Sequence, residues 1–271
     1  MRIAFLANRD VESNLALNLL LPALARQEVC VFLSERVGGS ASRAAAAPPA
    51  AMLGQLAFVE QDLWNRAAFP LLDAAPRAGA FLSFEGMRRR GIPVEPLASA
   101  KTAEGLRTLA AARADLFVSI RFGRILGEEA IRLPRLGVLN LHSGLLPDYR
   151  GVLATFRALS NGDREIGCTL HRIDRPSIDT GPVVEVARVA VDPAKSLFWH
   201  ILALYPPGAV KIERAIAKLE AGDPLPGAPQ AAGGGAYYSF PSDEDLARFT
   251  AAGGRLFDRG DVEDLLRRYG L

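Results

Sequence analysis

Cysteine is scarce in this chain: there are two, Cys30 and Cys168, in 271 residues. Both stand in apolar runs, so two separate buried thiols are expected rather than a bridge. So few cysteines suit a reducing compartment and a cytoplasmic protein. Histidine is equally sparse, with only His142, His171 and His200. No two of them have H-x-x-x-H or H-E-x-x-H spacing, and there is no C-x-x-C, so no metal site is expected. Long apolar runs are missing too. Leu15 to Ala25 falls short of the roughly 20 residues that span a bilayer, and Asp10 and Glu12 stand where a signal peptide carries basic residues. No membrane partner is expected. Charge of one sign is not in excess: 32 basic residues face 30 acidic ones, a net +2, which argues against a nucleic-acid partner. Phosphate-cradling loops are absent as well. The first apolar strand runs into Asn8-Arg9-Asp10-Val11-Glu12-Ser13 with no G-x-G-x-x-G, there is no P-loop, and Gly233-Gly234-Gly235 opens no helix with phosphate-loop spacing. A G-x-S-x-G nucleophile elbow is also lacking.

The residues that are present can build a sizeable core. Hydrophobic types make up 49% and charged types 23% of the 29.0 kDa chain, which excludes disorder over most of it. Arg2–Ala7, Glu28–Leu33, Ile92–Leu97, Asp115–Ile120 and Gly137–Leu141 read as strands, separated by helical stretches from Val11 (capped by Asp10), over Trp64–Arg90 with breaks near Pro70 and Pro76, and over Thr102–Arg113. This alternation predicts an α/β fold, a Rossmann-like, mostly parallel sheet flanked by helices. The small, Pro-containing stretch 38–51 reads as a mobile loop. Further on, Val152–Ser160 reads as helix, Glu165–Arg172 and Pro182–Val191 as strands, and Ser196–Tyr205 and Ala209–Leu219 as helices parted by Pro206-Pro207. Gly222–Gly235 reads as a linker, followed by a tail with one helix near Asp243–Phe249. The expected division is a catalytic domain over 1–220, with linker and small C-terminal tail over 221–271.

One constellation carries chemistry. Asn140 and His142 end an apolar strand, two positions apart and therefore on one side of it. In a parallel sheet the strand C-termini face the ligand crevice, where an amide and an imidazole can polarise a carbonyl and move a proton. The chain continues with Leu146-Pro147-Asp148-Tyr149-Arg150-Gly151, then Gly167-Cys168-Thr169-Leu170-His171, then Asp179-Thr180-Gly181-Pro182. In order and separation these motifs resemble the folate-dependent formyltransferase family, whose members act on purine precursors, methionyl-tRNA and amino sugars. The resemblance spans roughly Arg2 to Leu219.

The resemblance implies transfer of the formyl group of 10-formyltetrahydrofolate to an amine, without a metal. Asn140 and His142 would donate hydrogen bonds to the oxygen that becomes negative in the attack. Asp179 would orient His142 across the crevice, and a water would help the pair relay the proton that the amine loses. Arg124, Ile125 and Leu126 resemble the segment lining the pterin slot. Ile173, Asp174 and Ser177 belong to a loop that resembles the family's folate-binding loop. Arg121 stands where relatives often have an uncharged residue and needs either a protein carboxylate or a substrate anion, such as a nucleotide diphosphate. Tyr149 and Arg150 would contact substrate or pin their loop. His171 reads as a structural histidine, and Arg88-Arg89-Arg90 as a solvated helix face.

The expected acceptor is a small-molecule amine, primary or hydroxylated, with a nucleotide-linked amino sugar foremost and a hydroxyornithine-type amine as the alternative. A methionyl-tRNA formyltransferase-like protein is less expected. The residues after Glu220 carry five arginines against eight carboxylates, net −3, and are too few for the β-barrel that tRNA-directed relatives add. A formyltetrahydrofolate hydrolase usually has a small domain before the core, whereas here the core begins at Arg2. A non-enzymatic folate-binding relative would have lost one of the three residues. Tyr237-Tyr238-Ser239-Phe240-Pro241 is expected to cover the core or to make a homodimer through the C-terminal region.

Overall fold

Arg2–Asn8 (β1) is buried on both faces, as a central strand sandwiched between helix layers must be. The structure, a computed structural model, describes residues 1–35, 51–231 and 233–271; the loop expected at 38–51 lies, up to residue 50, outside the described residues. The other strands are β2 (Glu28–Ser34), β3 (Val94–Pro96), β4 (Leu116–Ile120), β5 (Val138–His142), β6 (Tyr149–Gly151), β7 (Glu165–Ile173), β8 (Val183–Ala190) and β9 (Ala236–Tyr238). Seven of them form one sheet in the order β3-β2-β1-β4-β5-β7-β8, and β6 pairs with β9 apart from it. The first five run parallel, while β7 is antiparallel to β5 and β8 to β7. The order reverses between β1 and β4, so the crevice of a doubly wound sheet opens beyond the ends of these strands.

The helices are α1 (Val11–Leu20), α2 (Ala51–Ala57), α3 (Phe69–Ala74), α4 (Phe84–Arg89), α5 (Ala103–Ala111), α6 (Glu128–Arg132), α7 (Ala154–Ser160), α8 (Leu197–Ala203), α9 (Tyr205–Ala221), α10 (Asp243–Ala251) and α11 (Arg259–Tyr269). Alternation along the strands fills two cores. Ile3, Phe5 and Ala7 face Leu15 of α1, Phe198 of α8 and Ile212 of α9, whereas Ala4, Leu6, Phe117 and Val138 face Leu109 of α5 and Ala130 of α6. Each such Phe or Leu contributes roughly 1.5–3 kcal/mol by leaving water.

Several expectations are corrected by local backbone chemistry. Helical structure in the 60s begins at Ala51, not Trp64, and Phe58–Asp62 and Trp64–Ala68 are wound as π-helix. This widening turns Glu60 and Trp64 inward, where both are buried. Pro70 does not break the helix: α3 continues without a gap from the π-helical turn Trp64–Ala68, and Pro70 sits at this junction. Pro206 and Pro207 likewise open α9 rather than separating two helices at a distance. Helix α11 was not anticipated, because its surface is so charged. It is anchored by Leu265 and by Tyr269, whose fully buried ring sits 4.9 Å from Trp64 and 5.3 Å from Phe81 and whose hydroxyl donates to Asn14 Oδ1 at 2.7 Å. Leu246, Phe249, Leu256 and Leu265 join the core around α1, α8 and α9. Tyr238 and Phe240 pack against that core, while Tyr237 is half exposed. Both thiols are free; Cys168 is buried and Cys30 half-buried.

Candidate active site

Two period-two patterns meet across one strand pair. On β5, Val138, Asn140 and His142 share a face. The antiparallel register sets them opposite Ile173, His171 and Thr169 of β7, so cross-strand partners on that face are in contact. Thr169 shapes the loop that follows β5: its Oγ1 donates to Gly144 O at 2.7 Å and accepts from Leu146 N at 3.1 Å. The β7–β8 pairing slips between Leu170 and His171, a local irregularity of the kind that re-aims side chains beside functional sites.

His142 is buried. Its Nε2 donates to the carbonyl of Tyr149 at 2.6 Å, and its Nδ1 lies 3.5 Å from Asp179 Oδ2. Asp179 arrives on the loop between β7 and β8 with φ +55°, a left-handed conformation that Asp tolerates better than most residues. Its Oδ2 accepts from Gly151 N at 2.9 Å, and its Oδ1 lies 3.5 Å from His171 Nε2. His171 in turn donates from Nδ1 to Arg172 O at 2.9 Å and places Nε2 3.0 Å from Asn140 Nδ2. Asn140, His142, His171 and Asp179 therefore form one connected group. The sequence reading left His171 outside it; the signal was the alternation Gly167-x-Thr169-x-His171, which puts the imidazole on the face that carries Asn140. Two glycines let the backbone close in. At Gly181 a Cβ would meet Arg172 O at 1.8 Å, and at Gly151, with φ +98°, it would meet Tyr238 O at 2.2 Å.

Burial works against the charge of Asp179, but His142, His171 and the Gly151 N–H outweigh it and bring the carboxyl down to about 2. An acid group lowered by folding adds stability above its unfolded pKa of about 3.9 and loses it as pH falls through the folded value. Asp179→Asn is thus expected to cost about 2 kcal/mol at pH 5, with the difference from wild type vanishing as the pH approaches 2. Urea midpoints of both proteins at several acid pH values check this. A constant difference across the range would contradict it.

The remaining candidate residues are spread unevenly around this group. Arg124, Ile125 and Leu126 follow β4, whose end pairs with β5 at Ile120 and Leu141. Ile125 is 36% exposed, whereas Leu126 is 4% exposed and packs in the core with Ala4 and Leu6. Arg124 Nε is buried with no hydrogen-bond partner among the described residues. Ile173 packs half-buried against the same core; Asp174 is exposed and paired with Arg175; Ser177 Oγ bonds Thr180 Oγ1. Ile178, in the same loop, is 38% exposed. Tyr149 turns its hydroxyl away to Asp163 Oδ2 at 2.7 Å and serves the group through its carbonyl. Arg150 reaches Gly235 O at 3.4 Å.

Arg121 is not brought to the group. Also at φ +55°, it is enclosed by protein carboxylates: Nε donates to Asp10 Oδ2 at 2.8 Å, and the guanidinium lies 3.2 Å from Glu60 and 3.8 Å from Glu12. Burial disfavours its charge, yet the three carboxylates hold its pKa well above the usual value. Burial pushes the Glu12 and Glu60 carboxyls up, and Arg121 opposes the shift. Asp10 also caps α1 by accepting from Ser13 N at 2.8 Å. The helix end that a phosphate could otherwise use is thus occupied by the chain's own carboxylates. A cavity of about 750 Å³ lies at the other end of the sheet, lined by Arg2, Glu28, Cys30 and Glu95, away from the connected group. Burial pushes the Cys30 thiol up to about 11. Among the described residues no cluster of three His, Cys, Asp or Glu side chains is arranged to hold a metal ion, and no helix is long and apolar enough to cross a membrane.

The doubly wound sheet thus carries an amide, two imidazoles and a carboxylate beside one strand end, groups able to polarise a carbonyl and move a proton. Residues 82–198 match the family described as formyl transferase. Methionyl-tRNA formyltransferase of Methylobacterium sp. (strain 4-46) is 37% identical over 172 residues, which are 63% of this chain and 55% of that protein. The chain spans about half the length of the curated relatives it matches. Glycinamide ribonucleotide transformylase 1 of Symbiobacterium toebii shares the fold with a TM-score of 0.56 at 19% identity, over 82% of this chain and 88% of that one. So does an N-formyltransferase of Helicobacter canadensis in complex with folinic acid and dTDP-3-aminofucose, with a TM-score of 0.53 at 15% identity, over 90% and 72%. Residues 82–198 are thus similar in sequence to formyltransferases, and the chain shares the fold of these solved structures.

Proposed function

We propose that this chain transfers the formyl group of 10-formyltetrahydrofolate to a primary or hydroxylated amine of a small metabolite. The observation that carries the reading is the connection of Asn140, His142 and Asp179, through His171, into one group at the end of β5. The donor supplies an activated formamide: the acceptor nitrogen bonds to the formyl carbon, the bond to N10 breaks, and the proton lost by the acceptor ends on N10. The Asn140 amide nitrogen lies 3.0 Å from His171 Nε2, and the amide would donate to the formyl oxygen, where negative charge develops. His142 holds the migrating proton, with Asp179 balancing its charge and Tyr149 O fixing its ring. The 3.5 Å separation of His142 from Asp179 is of the kind that shortens when substrate binds.

For the donor, the residues fit. Ile125 and Ile178 offer exposed apolar surface to an aromatic pterin on either side of the crevice, and the orphaned Arg124 Nε offers a donor. 5-Formyltetrahydrofolate at saturating concentration is expected to raise the Tm by several degrees, since a ligand at 100 times its Kd adds about 2.7 kcal/mol. A flat thermal shift with folded protein would count against the slot.

A nucleotide-linked amino sugar is the favoured acceptor class, supported by the sugar-nucleotide relative that shares the fold. Initiator methionyl-tRNA is the second reading, favoured by the 37% identity to the Methylobacterium enzyme. Five arginines against eight carboxylates after Glu220 speak for the first reading, since a polyanion requires basic surface. The deciding assay offers dTDP-amino sugars, other small amines and charged initiator tRNA side by side with 10-formyltetrahydrofolate. Salt-sensitive formylation of the tRNA alone would overturn the small-molecule assignment.

A further inference from the structure

The stretch after Leu225 runs along both loops that hold the catalytic group. Leu225 O accepts from Arg172 at 2.7 Å, and Ala228 exchanges two backbone hydrogen bonds with Val183, at 2.8 and 2.7 Å. Gln230 then aims its amide at the turn that carries Asp179: Nε2 donates to Asp179 O at 2.9 Å and to Gly181 O at 2.7 Å. Its Oε1 is buried with no partner among the described residues, so these two donations alone set the amide's orientation. They clamp the carbonyls on either side of Thr180, in a turn whose first residue is left-handed. Such a conformation persists only when its surroundings over-determine it. Asp179 has little else to hold it: its carboxylate accepts from Gly151 N and otherwise faces two imidazoles at 3.5 Å.

We propose that Gln230 is a positioning residue for Asp179: by pinning the 179–181 turn, its amide keeps the carboxylate between His142 and His171. The effect on rate rests on the formyl-transfer reading; the effect on the carboxylate does not. Without the two donations the turn relaxes, Asp179 moves away from the imidazoles, and the charge balance that His142 needs is lost. Gln230 itself touches neither donor nor acceptor in this scheme.

The test uses Gln230→Met, an unbranched side chain of similar length without donors, and Gln230→Ala in case the first misfolds. Full-length protein labelled with ¹³C-aspartate reports the titration of the Asp179 carboxyl, identified by its absence in Asp179→Asn. In the wild type it is expected near 2; in the variants it should move toward the ordinary value of about 4. Formate release from 10-formyltetrahydrofolate, with water as acceptor, should show kcat falling roughly 10- to 100-fold. An unmoved Asp179 titration in a folded variant overturns the proposal, whatever the rate does. A moved titration in a protein that transfers formyl to nothing keeps the positioning role and removes the formyl-transfer reading instead.

Discussion

Replacing His142 with alanine is expected to lower formyl-transfer turnover by roughly 10²–10⁴-fold with the fold intact. The imidazole links Tyr149 O to the Asp179 carboxylate, and alanine leaves nothing in its place to accept or return the proton. Asn140→Ala removes the donor aimed at the developing negative charge, and a loss of roughly 10²–10³-fold is expected. Because the two residues and Asp179 work as a unit, the double variant should be little worse than the worse single one. The measurement is kcat and KM for each variant, with circular dichroism to confirm folding. Near-normal turnover in folded His142→Ala would remove the group from the reaction.

The largest stability loss is expected at Arg121. Arg121→Leu leaves Asp10, Glu12 and Glu60 facing one another without a cation, and uncompensated buried charge costs about 3–5 kcal/mol. Adding Glu12→Gln should recover part of the loss, because the carboxyl whose ionisation burial most disfavours is then neutral by construction. Urea midpoints of the single and double variants check both statements. An arginine that served a substrate anion would behave differently, raising KM and leaving the midpoint where it was.

What the sequence made legible follows from local rules. Strand β1 was readable because both its faces are apolar, and α1 because Asp10 supplies a cap at its first turn. The shared face of Asn140 and His142 was readable from period-two spacing at the end of β5. Three features were not. The π-helical turns before α3 carry no composition mark, so Glu60 was not connected with Arg121, 61 positions further on. Helix α11 carries an apolar stripe of Val262, Leu265, Leu266 and Tyr269, which went unread among the charged residues of a tail taken as an appendage. The role of 225–231 depends on side chain-to-backbone bonds between distant loops, and its Gly- and Pro-rich composition reads as spacer. Arg121 shows the same limit from another side: the need for an anionic partner was visible, and whether a protein carboxylate or a substrate anion would meet it was not.

The parallel pairing of β6 with β9 brings together residues 87 positions apart, Tyr149 and Ala236. Closing so long a loop costs entropy that only later contacts repay, and long-range pairings of this kind form late in folding. A chain emerging from the ribosome as far as Leu219 already carries Asn140, His142 and Asp179. It lacks the strand that braces Tyr149 and Gly151, the two residues whose backbone holds His142 and Asp179. The nascent molecule would therefore fold its sheet first, and the group of Asn140, His142 and Asp179 would be braced only once residue 238 had cleared the exit tunnel.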